Sequence, residues 1–460
     1  MTRKRTSVPS RFAAAIAIFV AAGLAAGSPA ETSDIQPMVS PDRIDDAPSA
    51  GKGAFALIDN FAWRAFVALN WPALPDAAHR GVPDRAKSLG DEGKRVWETY
   101  KSDYELFPVD ADGQRLAPSP WTSDEGPDPC GGGIDNRKKT IASFTPFADF
   151  NQPSFAVGEP ANPLVAVNGA YTRYEIHFNE AEFSAFAANG WSEAKNLPDE
   201  SHPAHLPAGA IAVKAAWLPM TEAEAEAARG RYYLETAEIV DVAETLAQGR
   251  VVCSKSAVAL VGLHIAIKTA SRPQWVWSTF EHVDNVPPAG AGEAREPDAK
   301  DAGRPYAYFD PSRPAKLWPP FGSPGSQPVN AANPPQLHPA PMQVVRRYPI
   351  HGQTTTMNRA YWALPGVKGT VWEHYMLVAD QWPTSPAPPS PSNDGAFFPG
   401  GTPGTDGAED YKSVAATQEN LINTTMETYL QDAPSSCMAC HQIVSNARGA
   451  DFVGVLAGVR

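Results

Sequence analysis

Apolar positions along the chain recur with two different periods. Phe55, Ile58, Phe61, Ala62, Ala65, Phe66 and Leu69 repeat at helical spacing, which predicts an amphipathic helix over Phe55–Asn70 that Trp71-Pro72 ends. Strand-like alternation predicts Tyr171–Phe178 and Ile211–Leu218. Thr221-Glu222-Ala223-Glu224 then forms a capping box for a short helix that Gly230 closes. Arg231–Val242 returns as a strand. Ser256–Lys268 and Gln274–Val283, joined by a turn around Ser271-Arg272-Pro273, make the clearest hairpin. Val344–Ile350 and Thr370–Val378 add strand-like runs, and the helical period resumes over Val414–Leu430. No internal repeat is present. The pattern gives an α+β fold, a mostly β core with a few helices, closed by a C-terminal helix.

Proline divides these elements. The chain has 46 prolines, about twice ordinary usage, and they cluster. Fourteen lie between Pro287 and Pro341, and a second run covers Trp382–Gly404. Long surface loops are therefore expected over 286–341 and 382–404. Residues 31–53 are polar and read as a disordered lead-in. The organisation that follows is a β-rich body over 54–413 and a closing segment over 414–460.

The N-terminus reads as an export signal. Arg3, Lys4, Arg5 and Arg11 precede an apolar stretch over Phe12–Ala26, and Ser28-Pro29-Ala30 supplies small residues for cleavage. The apolar stretch is short for a membrane span, and no twin-arginine pair precedes it, so general secretion to the periplasm is expected. Removing residues 1–30 takes away four basic residues and moves the net charge from −13 to −17. Such acidity sets aside nucleic acid and anionic membranes as partners and suits a basic redox partner protein.

The candidate chemistry is concentrated in Cys437-Met438-Ala439-Cys440-His441. C-x-x-C-H is the attachment signature of haem c: two thiols add to the porphyrin vinyl groups, and the following imidazole becomes an axial ligand to iron. Cys437 and Cys440 are the expected tethers and His441 the expected ligand of one covalent haem. The alternatives for C-x-x-C are a redox or a zinc site, and zinc would need further soft ligands. The remaining cysteines, Cys130 and Cys253, have the option of pairing in an oxidising compartment.

A sixth iron ligand must come from upstream, because neither Met nor His follows His441. His264, His374 and His282 are candidates, as are Met342, Met357, Met376 and Met426. His264 has a second reading as an acid–base residue beside an open iron. Trp275, Trp277, Phe280, Trp362, Trp372 and Trp382 could line a closed pocket or simply fill the core.

Several stretches carry a family likeness: Leu260–Thr269, Arg272–Asn285, Phe66–Pro72, and Asn423–Leu430 ahead of Ser436–His441. Together they resemble secreted bacterial cytochrome c family proteins, from about Phe55 onward. The resemblance implies periplasmic haem c and assigns no reaction. It also matches Lys268-Thr269 and Glu281-His282-Val283-Asp284 without giving them a role. The functional expectation is a periplasmic monohaem c-type cytochrome with a redox role. A haem c enzyme with an open iron, acting on peroxide, nitrogen oxides or a small organic substrate, and a small-ligand sensor are the alternatives. No hydrolase triad, phosphate loop or independent metal motif competes with the haem.

Overall fold

The computed structural model describes residues 38–40, 54–108, 115–126, 130, 139–141, 148–152, 162–199, 202, 204–273, 275–288, 306–312, 328–330, 332–346, 349–382, 422–431, 437, 441, 451 and 453–458. All of them belong to one compact unit, Ile35–Arg460. The proposed export signal, the lead-in apart from 38–40, and most of both proline-rich loops lie outside the described residues.

An eight-stranded sheet forms the core. Its strands are β1 (Lys101–Ser102), β2 (Lys139–Thr140), β3 (Arg173–Phe178), β4 (Ile211–Met220), β5 (Leu234–Val240), β6 (Cys253–Ile267), β7 (Val276–His282) and β8 (Tyr375–Gln381). The order is β1-β3-β4-β6, and β6 is long enough to take two neighbours on its far side. Its first half pairs with β5, which pairs with β2, and its second half with β7, which pairs with β8. Every pairing is antiparallel except β2–β5. The expected hairpin is β6–β7. In its turn, Thr269 Oγ1 accepts the Arg272 backbone N–H at 3.0 Å.

The two sheet faces differ in chemistry because side chains alternate along each strand. One face carries Val213, Ala215, Trp217, Leu263, Ile265, Ile267, Val276 and Phe280, all in the main apolar core. Helices α1 (Ala54–Leu69) and α2 (Gly352–Trp362) cover it. Asn358 fixes that layer: its Oδ1 accepts from Trp63 Nε1 at 2.9 Å and from the Leu377 N–H at 2.9 Å, while its Nδ2 donates to the Leu377 carbonyl at 2.8 Å. A one-residue register slip opposite Ala216/Trp217 leaves Val261 as the extra residue of β6. It keeps Leu260 and Leu263 on the core face on either side of the bulge.

Three expected elements differ from the structure. Val344–Ile350 is not a strand in its described residues; Val344 is buried, and its N–H donates to the Tyr308 carbonyl at 2.8 Å. Val344 and Ile350 are buried in irregular chain. Thr370–Val378 begins as a 3-10 helix, Val371–His374, because the Thr370 hydroxyl caps it by accepting the Trp372 N–H at 3.2 Å; only Tyr375 onward is strand. His374 is therefore helical. In the described part of Val414–Leu430, residues 424–426 form a turn and Thr428–Leu430 a 3-10 helix. Side chains capture backbone groups there: Asn423 Oδ1 accepts the Thr425 N–H at 2.9 Å, and Glu281 accepts the Thr424 N–H at 2.6 Å. Residues 414–421 lie outside the described set.

Cys130 and Cys253 form a disulfide with Cα atoms 5.2 Å apart, tying the chain before β2 to the start of β6.

Candidate functional site

The second sheet face is laid out in rows across four strands. Glu281, Gly262, Ala216 and Tyr174 make one row. Thr279, His264, Lys214 and Ile176 make the next, and Trp277, Ala266, Ala212 and Phe178 the third. Rows two residues apart lie about 7 Å from each other. The first row is covered and the third carries the C-terminal segment, while the middle row is left partly accessible.

Residues 422–431 cover the first row. Gly262 permits it: a Cβ at that position would overlap Thr425 Oγ1 and crowd the Asn423 amide at 3.2 Å. Asn423 Nδ2 donates to Thr279 Oγ1 and to the Phe280 carbonyl, both at 2.9 Å. Buried Glu281 accepts from the Thr424 N–H and hydroxyl at 2.6 Å each and from Arg346 Nη2 at 2.8 Å. Tyr174 donates its hydroxyl to the Thr425 carbonyl at 2.8 Å. So Asn423–Thr425 and Glu281 act as an anchor.

The anchored segment aims Glu427 at the middle row. Glu427 Oε1 lies 2.6 Å from His264 Nε2, and its Oε2 accepts the Asn423 N–H at 3.1 Å. The two side chains keep about a fifth to a quarter of their surface accessible, 20% and 24%. Beside His264 on β4 is Lys214, also partly accessible. Burial pushes its ammonium down to about 8 against the opposing attraction of Glu427 and Asp103. Glu427 was not legible as a site residue; the one signal was a glutamate following the poor helix formers Asn423-Thr424-Thr425.

Over the third row sit Cys437 and His441. The His441 ring centroid is 4.3 Å from that of Trp277, and Cys437 packs against the cluster of Phe178, Ala266, Trp275, Trp277, Val453 and Leu456. Both residues have helical backbone; Cys440 lies outside the described residues. Lys268 anchors the chain beyond the motif: its Nζ is 2.6 Å from Asp451 Oδ2, which also accepts the Leu206 N–H at 2.7 Å. Trp275, just before β7, holds φ 73°, a left-handed conformation that costs a non-glycine residue about 1 kcal/mol or more.

The other sixth-ligand candidates are placed elsewhere. His282, at the opposite end of β7, is stacked on Tyr232 with centroids 3.6 Å apart. Burial pushes it down to about 3. Its Nδ1 accepts the Asp284 N–H at 3.1 Å, and its Nε2 lies 3.2 Å from the Arg231 carbonyl. His374 is beside it, ring centroids 6.1 Å apart, with Nδ1 3.4 Å from Arg231 Nη1. Met357 and Met376 belong to the core on the far face. Met342 and Met426 belong to a separate cluster around Tyr308, and Met342 receives the Tyr429 hydroxyl. Of the aromatic candidates, Trp277 and Trp275 border the haem motif, whereas Phe280, Trp362, Trp372 and Trp382 fill the core.

Cys437 and His441 are the described members of the Cys-x-x-Cys-His run. Cys130 and Cys253 are joined to each other and supply no thiolate to a zinc site with Cys437. Among the described residues, no cluster of three or more His, Cys, Asp or Glu converges to hold a bare metal ion, and no helix is long and apolar enough to cross a membrane. The sheet row of Trp277 beside His441 also carries the small side chains Ala212 and Ala266. Comparison with family models, curated proteins and solved structures finds no match to this chain.

Proposed function

We propose that the chain is an exported, periplasmic haem c protein with a redox role. Its one haem is tethered through Cys437 and Cys440, with His441 as axial ligand. The observation that supports this reading is the seating of Cys437 and His441 on the sheet row of Trp277, Ala266 and Ala212, next to the accessible row of His264 and Lys214. The acidic composition suits a basic redox partner.

Bound there, haem supplies an iron that can change oxidation state and take small ligands. The chain's own residues favour the enzyme reading over simple electron carriage. His264 is the histidine candidate on the face beside Trp277, and its Nε2 is committed to Glu427. A carboxylate-held imidazole suits proton transfer better than ligation through that nitrogen. Absorption and resonance Raman spectra of the protein, produced with a haem c maturation system, test this. High-spin bands that shift with carbon monoxide are expected. Sharp low-spin bands indifferent to carbon monoxide would make the protein a six-coordinate electron carrier.

A further inference from the structure

The middle row holds a cation whose hydrogen-bonding capacity is unused. Lys214 Nζ lies 5.5 Å from the Tyr174 ring centroid and has no hydrogen-bond or ion-pair partner among the described residues. The two carboxylates that attract it are engaged by other donors. Glu427 accepts from His264 and from the Asn423 N–H, and Asp103 Oδ1 accepts the Tyr104 N–H at 2.9 Å. Neither carboxylate lies within ion-pair distance of Lys214. Burial dominates the ionisation of the ammonium, while Lys214 as a residue is half-buried, as are Ala212 on the same strand and Ile176 on β3.

We propose that Lys214 and His264 form a subsite for a small monoanion of the size of formate or nitrite. Lys214 donates to the anion's oxygens, and the His264 ring borders it on the adjacent strand. Cross-strand neighbours hold their Cβ atoms about 5 Å apart, so one small anion spans both side chains. An ammonium offers three donors and no acceptor, and an enclosed cation without a contact partner is what an anion relieves. The Coulomb term falls as 1/r, so an anion in contact at about 3 Å outweighs either more distant carboxylate. Ile176 and Ala212 limit the ligand's size. The subsite is built from strand residues alone and does not depend on haem attachment.

Calorimetric titration with sodium formate at neutral pH and constant ionic strength tests it. Four proteins are compared: wild type, Lys214→Met, Lys214→Arg, and the Cys437→Ala/Cys440→Ala double variant. Wild type should bind formate, and Lys214→Met should weaken binding about tenfold or more, the loss of one charge-assisted contact. Lys214→Arg should restore part of it, and the double cysteine variant should bind as wild type does. Near-ultraviolet circular dichroism checks that each variant is folded, with Lys214→Gln as the replacement if Lys214→Met is not. Formate affinity that survives loss of the lysine overturns the proposal, as does wild-type protein that ignores formate. Binding that vanishes only in the double cysteine variant places the anion on the haem and likewise overturns it. Wild-type protein that carries no haem but binds formate through Lys214 would refute the haem reading alone.

Discussion

His264 on β6 and Glu427 in the closing segment are 163 positions apart and share a 2.6 Å contact between Nε2 and Oε1. The contact exists because Asn423, Thr424 and Thr425 pin that segment to β7 and to Tyr174. Glu427→Ala should remove an acceptor from both the imidazole and the Asn423 N–H. A loss of about 1–3 kcal/mol is expected in urea unfolding. A double-mutant cycle with His264→Gln should return a coupling of about 0.5–3 kcal/mol. Additive effects would mean that the pair does not act together in solution.

Gly262 is predicted to be intolerant of any side chain. Alanine there would overlap Thr425 Oγ1, in a region with no free space, and should destabilise the protein by about 1–3 kcal/mol. Gly352 is the control. A Cβ at that position meets nothing within 4 Å at the start of α2, so Gly352→Ala should be neutral or mildly stabilising. Denaturation midpoints of the two variants decide the matter.

The sequence made β6 and β7 legible because Val261–Ile267 and Trp275–Val283 are rich in β-formers and meet at Ser271-Arg272-Pro273. The capping box at Thr221 was legible because it involves only neighbours, and Thr221 and Glu224 do bond reciprocally. The pairing of Cys130 with Cys253 was one of two open options until the fold brought their Cα atoms together. What escaped depended on contacts across the chain. Asn423 and Thr424 suit a helical period until Glu281 and Phe280 capture them, and Val344 reads as strand until burial against Tyr308 is known. His264 is the foremost of the histidine candidates in the sequence, ahead of His374 and His282, but no local pattern says where any of them lies. Only the strand register puts the first beside Trp277 and the others at the far end of β7.

Asp59 on α1 and Asp380 on β8 are buried against each other beneath the main core. Burial pushes Asp59 up to about 7, against the lowering effect of Asp380 and Thr354, and drives Asp380 well above the carboxylate range. A carboxyl group with a raised folded pKa holds a proton that the unfolded chain has released. Its contribution to stability therefore falls as pH rises from about 4 to about 7. Asp59→Asn should flatten that fall by up to about 1.4 kcal/mol per pH unit. Urea unfolding at pH 5 and pH 8 measures it; an unchanged difference between wild type and variant would exclude the protonated pair.

The Cys130–Cys253 disulfide closes a long loop, its cysteines 123 positions apart. Cys130→Ser should cost about 2–5 kcal/mol, measured by urea unfolding without reductant. It should leave haem attachment unaffected, since the proposed tethers are Cys437 and Cys440. A variant that loses haem and keeps its stability would reverse those assignments.

The most direct test of the account is covalent haem attachment, read by haem staining on a denaturing gel and by the pyridine haemochrome spectrum after expression with a haem c maturation system. Wild-type protein should carry one covalent haem, Cys437→Ala/Cys440→Ala none, and His441→Ala should alter the iron's ligation while the protein still accumulates. Wild-type protein without covalent haem, or haem that stays covalently bound in the double variant, would contradict the site at Cys437, Cys440 and His441.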